Sequence, residues 1–252
     1  VTAALLDCEE QIVVSKNFQI ERDGSWNHYE GAFTVDTTAN DLRFALLLPH
    51  KGKVYIDFVS MFPENTFCGH KNGLREDVAG MLRDLRPDFV RWPGGCIVEG
   101  LTMDNRIKWK ETIGDIVKRP GEYNLWGYRS TYGFGYHEFL QFCEDIDADG
   151  LFVCNAGMSC LFRNGDYWEE ENRIDNLIQD ALDAVEYALG DTTTVYGKRR
   201  AENGHAAPFP LKYVEVGNEN VGLRYVKNYN RFYKAIKEKY PQLEVVCSLM
   251  FS

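Results

Sequence analysis

From about Pro63 onward, short apolar runs rich in β-branched residues alternate with segments of helical period. Val78, Met81, Leu82 and Leu85 mark one helix face that ends before Pro87, and Phe89–Trp92 reads as a short strand stopped by Pro93-Gly94-Gly95. A helix around His137 to Ile146 precedes a strand over Leu151–Cys154. Ile174, Leu177, Ile178, Ala181, Leu182, Val185 and Leu189 then recur at helical spacing up to Gly190. Strand Tyr213–Val216, a helix from about Val226 to Tyr240 and a strand over Leu243–Cys247 complete the series. Alternation of this kind predicts a parallel sheet with helical crossovers. A doubly wound sheet meets that description, but Gly133-Phe-Gly135 lacks the third glycine of a dinucleotide fingerprint and follows no strand. A β/α barrel present only in part fits better.

The first sixty residues have a different texture. Ile12–Val14, Tyr29–Val35, Leu42–Leu48 and Val54–Val59 read as strands separated by polar turns, the pattern of part of a β-sandwich. The expected division is therefore 1–62 and 63–252.

Ten formal negative charges in excess argue against nucleic acid, which needs a clustered basic surface. Lys198-Arg199-Arg200 is too short to overturn that and reads as a solvated loop. No apolar run approaches the length of a membrane span, and Val1–Ala4 leads quickly into Asp7, Glu9 and Glu10 without a signal pattern. Seven cysteines with no CxxC pair disfavour a disulfide framework and a structural zinc site. Those in apolar runs, such as Cys154 and Cys247, are expected to act as small hydrophobes. The five histidines show no paired spacing, so metal catalysis has little support and no cofactor is implied.

Chemistry is expected where strands end. Tyr213–Val216 runs into Gly217-Asn218-Glu219, which sets a carboxylate at a strand's C-terminal end, where parallel barrels keep their active sites. Glu219 is the first candidate for a general acid/base, with Asn218 beside it able to hydrogen-bond a hydroxyl. A plain turn and helix cap is the alternative reading of the same tripeptide. Arg91-Trp92-Pro93-Gly94-Gly95-Cys96 forms a second constellation: a guanidinium to hold a carboxylate ionised, a Trp wall for stacking, and glycines that let backbone approach a ligand. A tight strand–helix turn with a buried arginine pair is the alternative. No histidine is positioned to make Cys96 a nucleophile. Asn155 ends the third strand and reads as a turn residue. Glu215 lies inside its strand, pointing into the barrel or pairing with a cation. Glu99, Glu138 and Asp104 are read as solvated or capping residues.

Taken in order, Lys53–Ser60, Gly69–Arg75, Arg86–Gly100, Arg106–Gly114, Gly133–Leu140 and Tyr213–Glu219 resemble the α-L-arabinofuranosidases of glycoside hydrolase family 51, in clan A, over almost the whole chain. The resemblance implies a retaining, exo-acting mechanism on arabinan, arabinoxylan or arabino-oligosaccharides, with Glu219 as acid/base and Asn218 at the sugar's 2-hydroxyl. It puts Arg91 beside the nucleophile, Trp92, Gly95 and Cys96 at the sugar subsite, and Asn155 on the pocket rim. It also implies that residues 63–252 are about strands two to five of a (β/α)8 barrel, that residues 1–62 are the last strands of an inserted carbohydrate-binding-like module, and that the nucleophilic Glu lies beyond residue 252. The stretch is then expected to be inactive alone and to need the rest of its chain, or a second polypeptide, to complete the barrel. A homo-oligomer stays open, and an extracytoplasmic location is favoured. Another clan A hydrolase, such as a β-glycanase or β-xylosidase, and a non-catalytic carbohydrate-binding fragment remain as alternatives.

Overall fold

The computed structural model describes residues 1–250 apart from 22 and 37. The chain divides between Val59 and Ser60 into two compact units.

The first unit is a three-stranded antiparallel sheet in which β1 (Thr2–Leu6) lies between β2 (Ile12–Asn17) and β3 (Arg43–Leu47). Asp7 turns the chain from β1 into β2, its Oδ1 accepting from the amides of Glu9 at 2.9 Å and Gln11 at 2.8 Å. Ala3, Ala4 and Leu5 form its small core, while Ile12 and Phe44 stay exposed. Two expected strands are corrected, since neither Tyr29–Val35 nor Val54–Val59 pairs with a neighbour. In the second of these, Phe58 at φ 44° breaks the alternation, and Tyr55, Ile56 and Val59 are exposed. The sequence pattern also passed over β1, the strand that joins the other two.

The second unit is built on a four-stranded parallel sheet. Its strands are β4 (Phe89–Trp92), β7 (Asp149–Cys154), β8 (Leu211–Asn220) and β9 (Glu244–Leu249), hydrogen-bonded in that order, and between β4 and β7 a two-residue hairpin is made by β5 (Glu122–Tyr123) and β6 (Arg129–Ser130). Strand order follows chain order, without the reversal that marks a doubly wound sheet. Helices α1 (Glu76–Asp84), α2 (Gly95–Glu99), α3 (Tyr136–Asp145), α4 (Glu171–Leu189), α5 (Val195–Glu202) and α6 (Gly222–Lys239) lie before and between the strands.

The central strands are buried on both faces, as a helix-covered parallel sheet requires: Leu151, Phe152, Val153 and Cys154 on β7, Val214 and Val216 on β8. On α4 the helical stripe turns inward through Ile174, Leu177, Ile178, Ala181, Ala184, Val185 and Ala188. It meets Phe152, Val214 and, from α6, Tyr225, Phe232 and Ile236 in one core. Glu138 starts α3 by accepting from the Gly135 amide at 2.9 Å, and Arg119 closes on the same carboxylate at 2.6 Å. Its expected capping role is therefore seen.

Three expectations change in this unit. Only Ala79 of α1 is buried, and Val78, Met81, Leu82 and Leu85 are exposed, so nothing described covers that apolar face. Lys198-Arg199-Arg200 is not a solvated loop but part of α5. There Arg200 is fully buried and donates to the carbonyls of Tyr187, Ala188, His205 and Ala206 between 2.7 and 3.2 Å. Cys247 lies exposed on β9, which among the described residues pairs only with β8. All seven cysteines are free, and no described helix is long and apolar enough to cross a membrane.

Candidate active site

The C-terminal ends of β4 and β8 converge on a polar cluster. Strand β8 stays in register with β9 through Val216↔Cys247, then breaks until Asn220↔Leu249. The break is a bulge, the device that re-aims side chains at the ends of strands. Gly217 makes it possible: it sits at φ 79°, and a Cβ there would come within 2.0 Å of Asn220 Oδ1. That oxygen instead accepts the Asn218 amide at 3.1 Å. Glu219 takes φ 46°, the left-handed region that a Glu adopts only under constraint. Its side chain ends up exposed, while Asn218 and Asn220 on either side are buried.

Two further carboxylates lie beneath Glu219. Glu215 is clamped by Arg91 in a fork: Nε donates to Oε2 at 2.6 Å and Nη2 to Oε1 at 2.7 Å. Nη2 also donates to Asn218 Oδ1 at 3.0 Å. The Glu215 hydrogen bonds push the Arg91 guanidinium further up, so it is fully charged. Gly94, at φ 70°, leaves room for this arginine, since a Cβ there would come to 3.0 Å of Nη1.

Glu99, the last residue of α2, is the second carboxylate, and the sequence reading of it as solvated or capping is corrected. It is 1% exposed. Its Oε2 accepts from Asn218 Nδ2 at 3.2 Å and its Oε1 from Asn220 Nδ2 at 3.1 Å. The Cys160 thiol stands within 4.8 Å of it, and among the described residues no cation forms an ion pair with it. Burial raises its pKa to about 7, the charge of Glu219 adds to the rise, and the polar contacts of Asn218, Cys160 and Asn220 oppose it. Asn218 Nδ2 also lies 3.4 Å from Glu219 Oε2, so one amide nitrogen sits between two carboxylates.

Cys96, one turn before Glu99 on α2, has its Sγ 3.9 Å from Glu219 Oε2. Burial, then the neighbouring Cys160, pushes this thiol up to about 12, so it carries no thiolate for nucleophilic attack. The donor atoms of Cys96, Glu99 and Cys160 lie within 4.8 Å of one another. Both oxygens of Glu99 are already engaged by the Asn218 and Asn220 amides, and the Cys96 thiol is turned to Glu219.

The other expected residues separate. Gly95 opens α2 at φ 55° with open space where a Cβ would stand. Asn155 has no hydrogen-bonding capacity left for a ligand: Nδ2 donates to the carbonyls of Val98 and Met158, and Oδ1 accepts from the amides of Gly157 and Met158. It holds the loop after β7. Trp92, expected as a stacking wall, is corrected to a core residue, 7% exposed and stacked on Phe139 and Phe152. Alternation explains it: in β4, Arg91 faces the polar cluster, so Trp92 faces the helices. Sequence reasoning missed Glu99, Cys160 and Asn220. The spacing of Cys96 and Glu99 on one helical face, and the paired Asn218 and Asn220 flanking a Glu, were the available signals. A depression of about 940 Å³ at the N-terminal ends of the strands, between Arg83, Asp88, Asp149 and Lys212, contains none of these groups.

Residues 81–252 match the Alpha-L-arabinofuranosidase 1 domain. The chain is 39% identical over 88% of its length to Alpha-L-arabinofuranosidase 2 of Arabidopsis thaliana, and 36% identical over 98% to an extracellular exo-alpha-L-arabinofuranosidase of Streptomyces chartreusis. It covers 32% and 31% of these proteins, so it spans about a third of the curated relatives' length. Among solved structures it resembles the arabinose-bound α-L-arabinofuranosidase MgGH51, with a TM-score of 0.84 and 29% identity. That likeness extends over 98% of this chain and 40% of the other.

Proposed function

The chain belongs to the α-L-arabinofuranosidases of glycoside hydrolase family 51, and from that premise we propose that it carries the acid/base half of a retaining, exo-acting active site. Residues 63–252 are read as about strands two to five of a (β/α)8 barrel, with β4, β7, β8 and β9 in sequential parallel order. The three-stranded sheet before them is read as part of a carbohydrate-binding-like module. The substrate would be a terminal arabinofuranosyl unit on arabinan, arabinoxylan or an arabino-oligosaccharide, as the relatives' names suggest.

The observation that carries this reading is Glu219 itself: an exposed carboxyl at the C-terminal end of β8, held in a left-handed conformation above two buried carboxylates. In the proposed cycle Glu219 protonates the departing glycosidic oxygen. It then takes a proton from the water that hydrolyses the arabinosyl intermediate. A retaining site needs its two carboxyl groups about 5–5.5 Å apart. Glu215 is occupied by Arg91 and Glu99 is shut away from solvent. As the family resemblance implies, the nucleophile is proposed to come from sequence outside these 252 residues, and the chain alone to be inactive.

Asn218 gives its oxygen to Arg91 and one N–H to Glu99, which leaves its other N–H for the sugar's 2-hydroxyl or for Glu219. Cys96 borders the same space. Arg91 acts through Glu215 and Asn218 and sets the orientation of the amide. Asn155 acts at one remove, fixing the loop after β7.

In the complete polypeptide, Glu219→Ala is expected to lower kcat/KM on arabino-oligosaccharides about 10²–10⁴-fold. The loss should be much smaller on aryl α-L-arabinofuranosides, whose leaving groups depart without a proton. Equal losses on both substrate types, or none on the oligosaccharide, would remove Glu219 from this role. Faster turnover of an aryl β-xyloside than of the aryl arabinofuranoside would move the chain to another clan A activity.

A further inference from the structure

We infer that Glu99 is a positioning residue for Glu219: through the Asn218 and Asn220 amides it fixes the bulge from which the acid projects. The inference rests on the reading of Glu219 as the acid/base.

Three observations carry it. First, a carboxyl at 1% exposure has no cation partner among the described residues, whereas Glu215 nearby has Arg91. A buried carboxyl without a counter-charge is costly, so its presence calls for a reason beyond packing. Secondly, its two oxygens are divided between Asn218 and Asn220, the residues on either side of Glu219. Glu99 thus grips the bulge at both ends while Glu219 projects from the middle. Thirdly, Asn218 Nδ2 is hydrogen-bonded to Glu99 and lies within reach of Glu219, so the two carboxyl groups share one donor.

The surroundings of Glu99 decide how it responds to pH. From its own helix it meets Cys96; from the loop after β7, Cys160; from β8, Asn218, Glu219 and Asn220. Arg91 on β4 feels its charge but spends its hydrogen bonds on Glu215 and Asn218. With a pKa of about 7, raised chiefly by burial, Glu99 keeps its proton below neutral pH, so its hold on the two amides is what it contributes there.

The test uses the complete polypeptide, with kcat and KM measured on an arabino-oligosaccharide and on an aryl α-L-arabinofuranoside. Glu99→Gln keeps the shape but turns a donor toward one of the two asparagine amides. It is expected to lower kcat/KM on the oligosaccharide about 10–100-fold, chiefly through kcat. On the aryl substrate, whose leaving group departs without a proton, the loss should be much smaller. Glu99→Asp draws the oxygens away from both amides and should show the same split. Activity within twofold of the wild type on the oligosaccharide in Glu99→Gln overturns the inference. So does an equal loss on both substrates, which would leave Glu99 a purely structural residue. Should Glu99→Gln fail to fold, an equal loss on both substrates in Glu99→Asp overturns it equally. A Glu219→Ala control that loses nothing on the oligosaccharide would instead point to failure of the acid/base reading itself.

Discussion

Glu215 and Glu99 are both buried carboxylates beneath the same exposed glutamate, and they are neutralised in opposite ways. Glu215 lies under a bidentate arginine and accepts two short charge-assisted hydrogen bonds from it. Glu99 has only amides and a thiol around it, and burial leaves it undecided between two protonation states near neutral pH. Buried to a similar depth, the first is a scaffold and the second is responsive. What separates them is a single guanidinium, placed by β4 on the side of Glu215.

The largest effect should follow from removing that guanidinium. Arg91→Met strands Glu215 as a buried charge, and breaking such a pair costs about 3–5 kcal/mol. Denaturant unfolding of the complete protein should register this loss, and pairing the change with Glu215→Gln should recover much of it. Little or no loss in the single variant would show that Glu215 does not depend on Arg91. Glu99→Gln should behave in the opposite manner, because it removes a charge that nothing balances.

The folded-state pKa of Glu99, about 7, stands above its ordinary value of 4.5, so the folded state holds the proton more tightly. The resulting stability is fully present below about pH 4.5 and is lost as pH rises through 7, by at most roughly 3 kcal/mol. Melting of the wild type against Glu99→Gln should therefore diverge over that window, with the wild type falling behind on the alkaline side. Parallel curves would contradict the burial argument.

His137 sharpens the contrast from the other direction. Its ring is buried and bonded to the Tyr187 hydroxyl at 2.8 Å, and burial pushes it down to about 4 from 6.5. A depressed histidine contributes stability above pH 6.5 that disappears as pH falls through 4. His137→Gln should flatten acid unfolding in that interval and leave the alkaline side unchanged. An unaltered acid transition would mean that another group governs it.

Much of the second unit was legible in its amino acids, because helical and strand periods there coincide with burial. The α4 stripe from Ile174 to Val185 and the apolar run of β7 are cases where pattern and core agree. The first unit was less legible: Tyr29–Val35 and Val54–Val59 have strand composition, but a strand exists only where another backbone pairs with it. At the candidate site, Glu219, Asn218 and Arg91 could be named from strand ends. Trp92 was misassigned because the face it occupies depends on the register of β4. Glu99 and Arg200 were hidden for a common reason, since charge suggests solvent until the partners that bury it are known.

The most direct test of the account is azide rescue of Glu219→Ala in the complete polypeptide, using an aryl α-L-arabinofuranoside. Without its acid/base, a retaining enzyme should accumulate the arabinosyl intermediate, which a small anion can capture without proton removal. The account predicts that azide accelerates turnover and yields an arabinofuranosyl azide of the same anomeric configuration as the substrate. No response to azide, or an azide product of inverted configuration, would contradict the assignment of Glu219 as the acid/base.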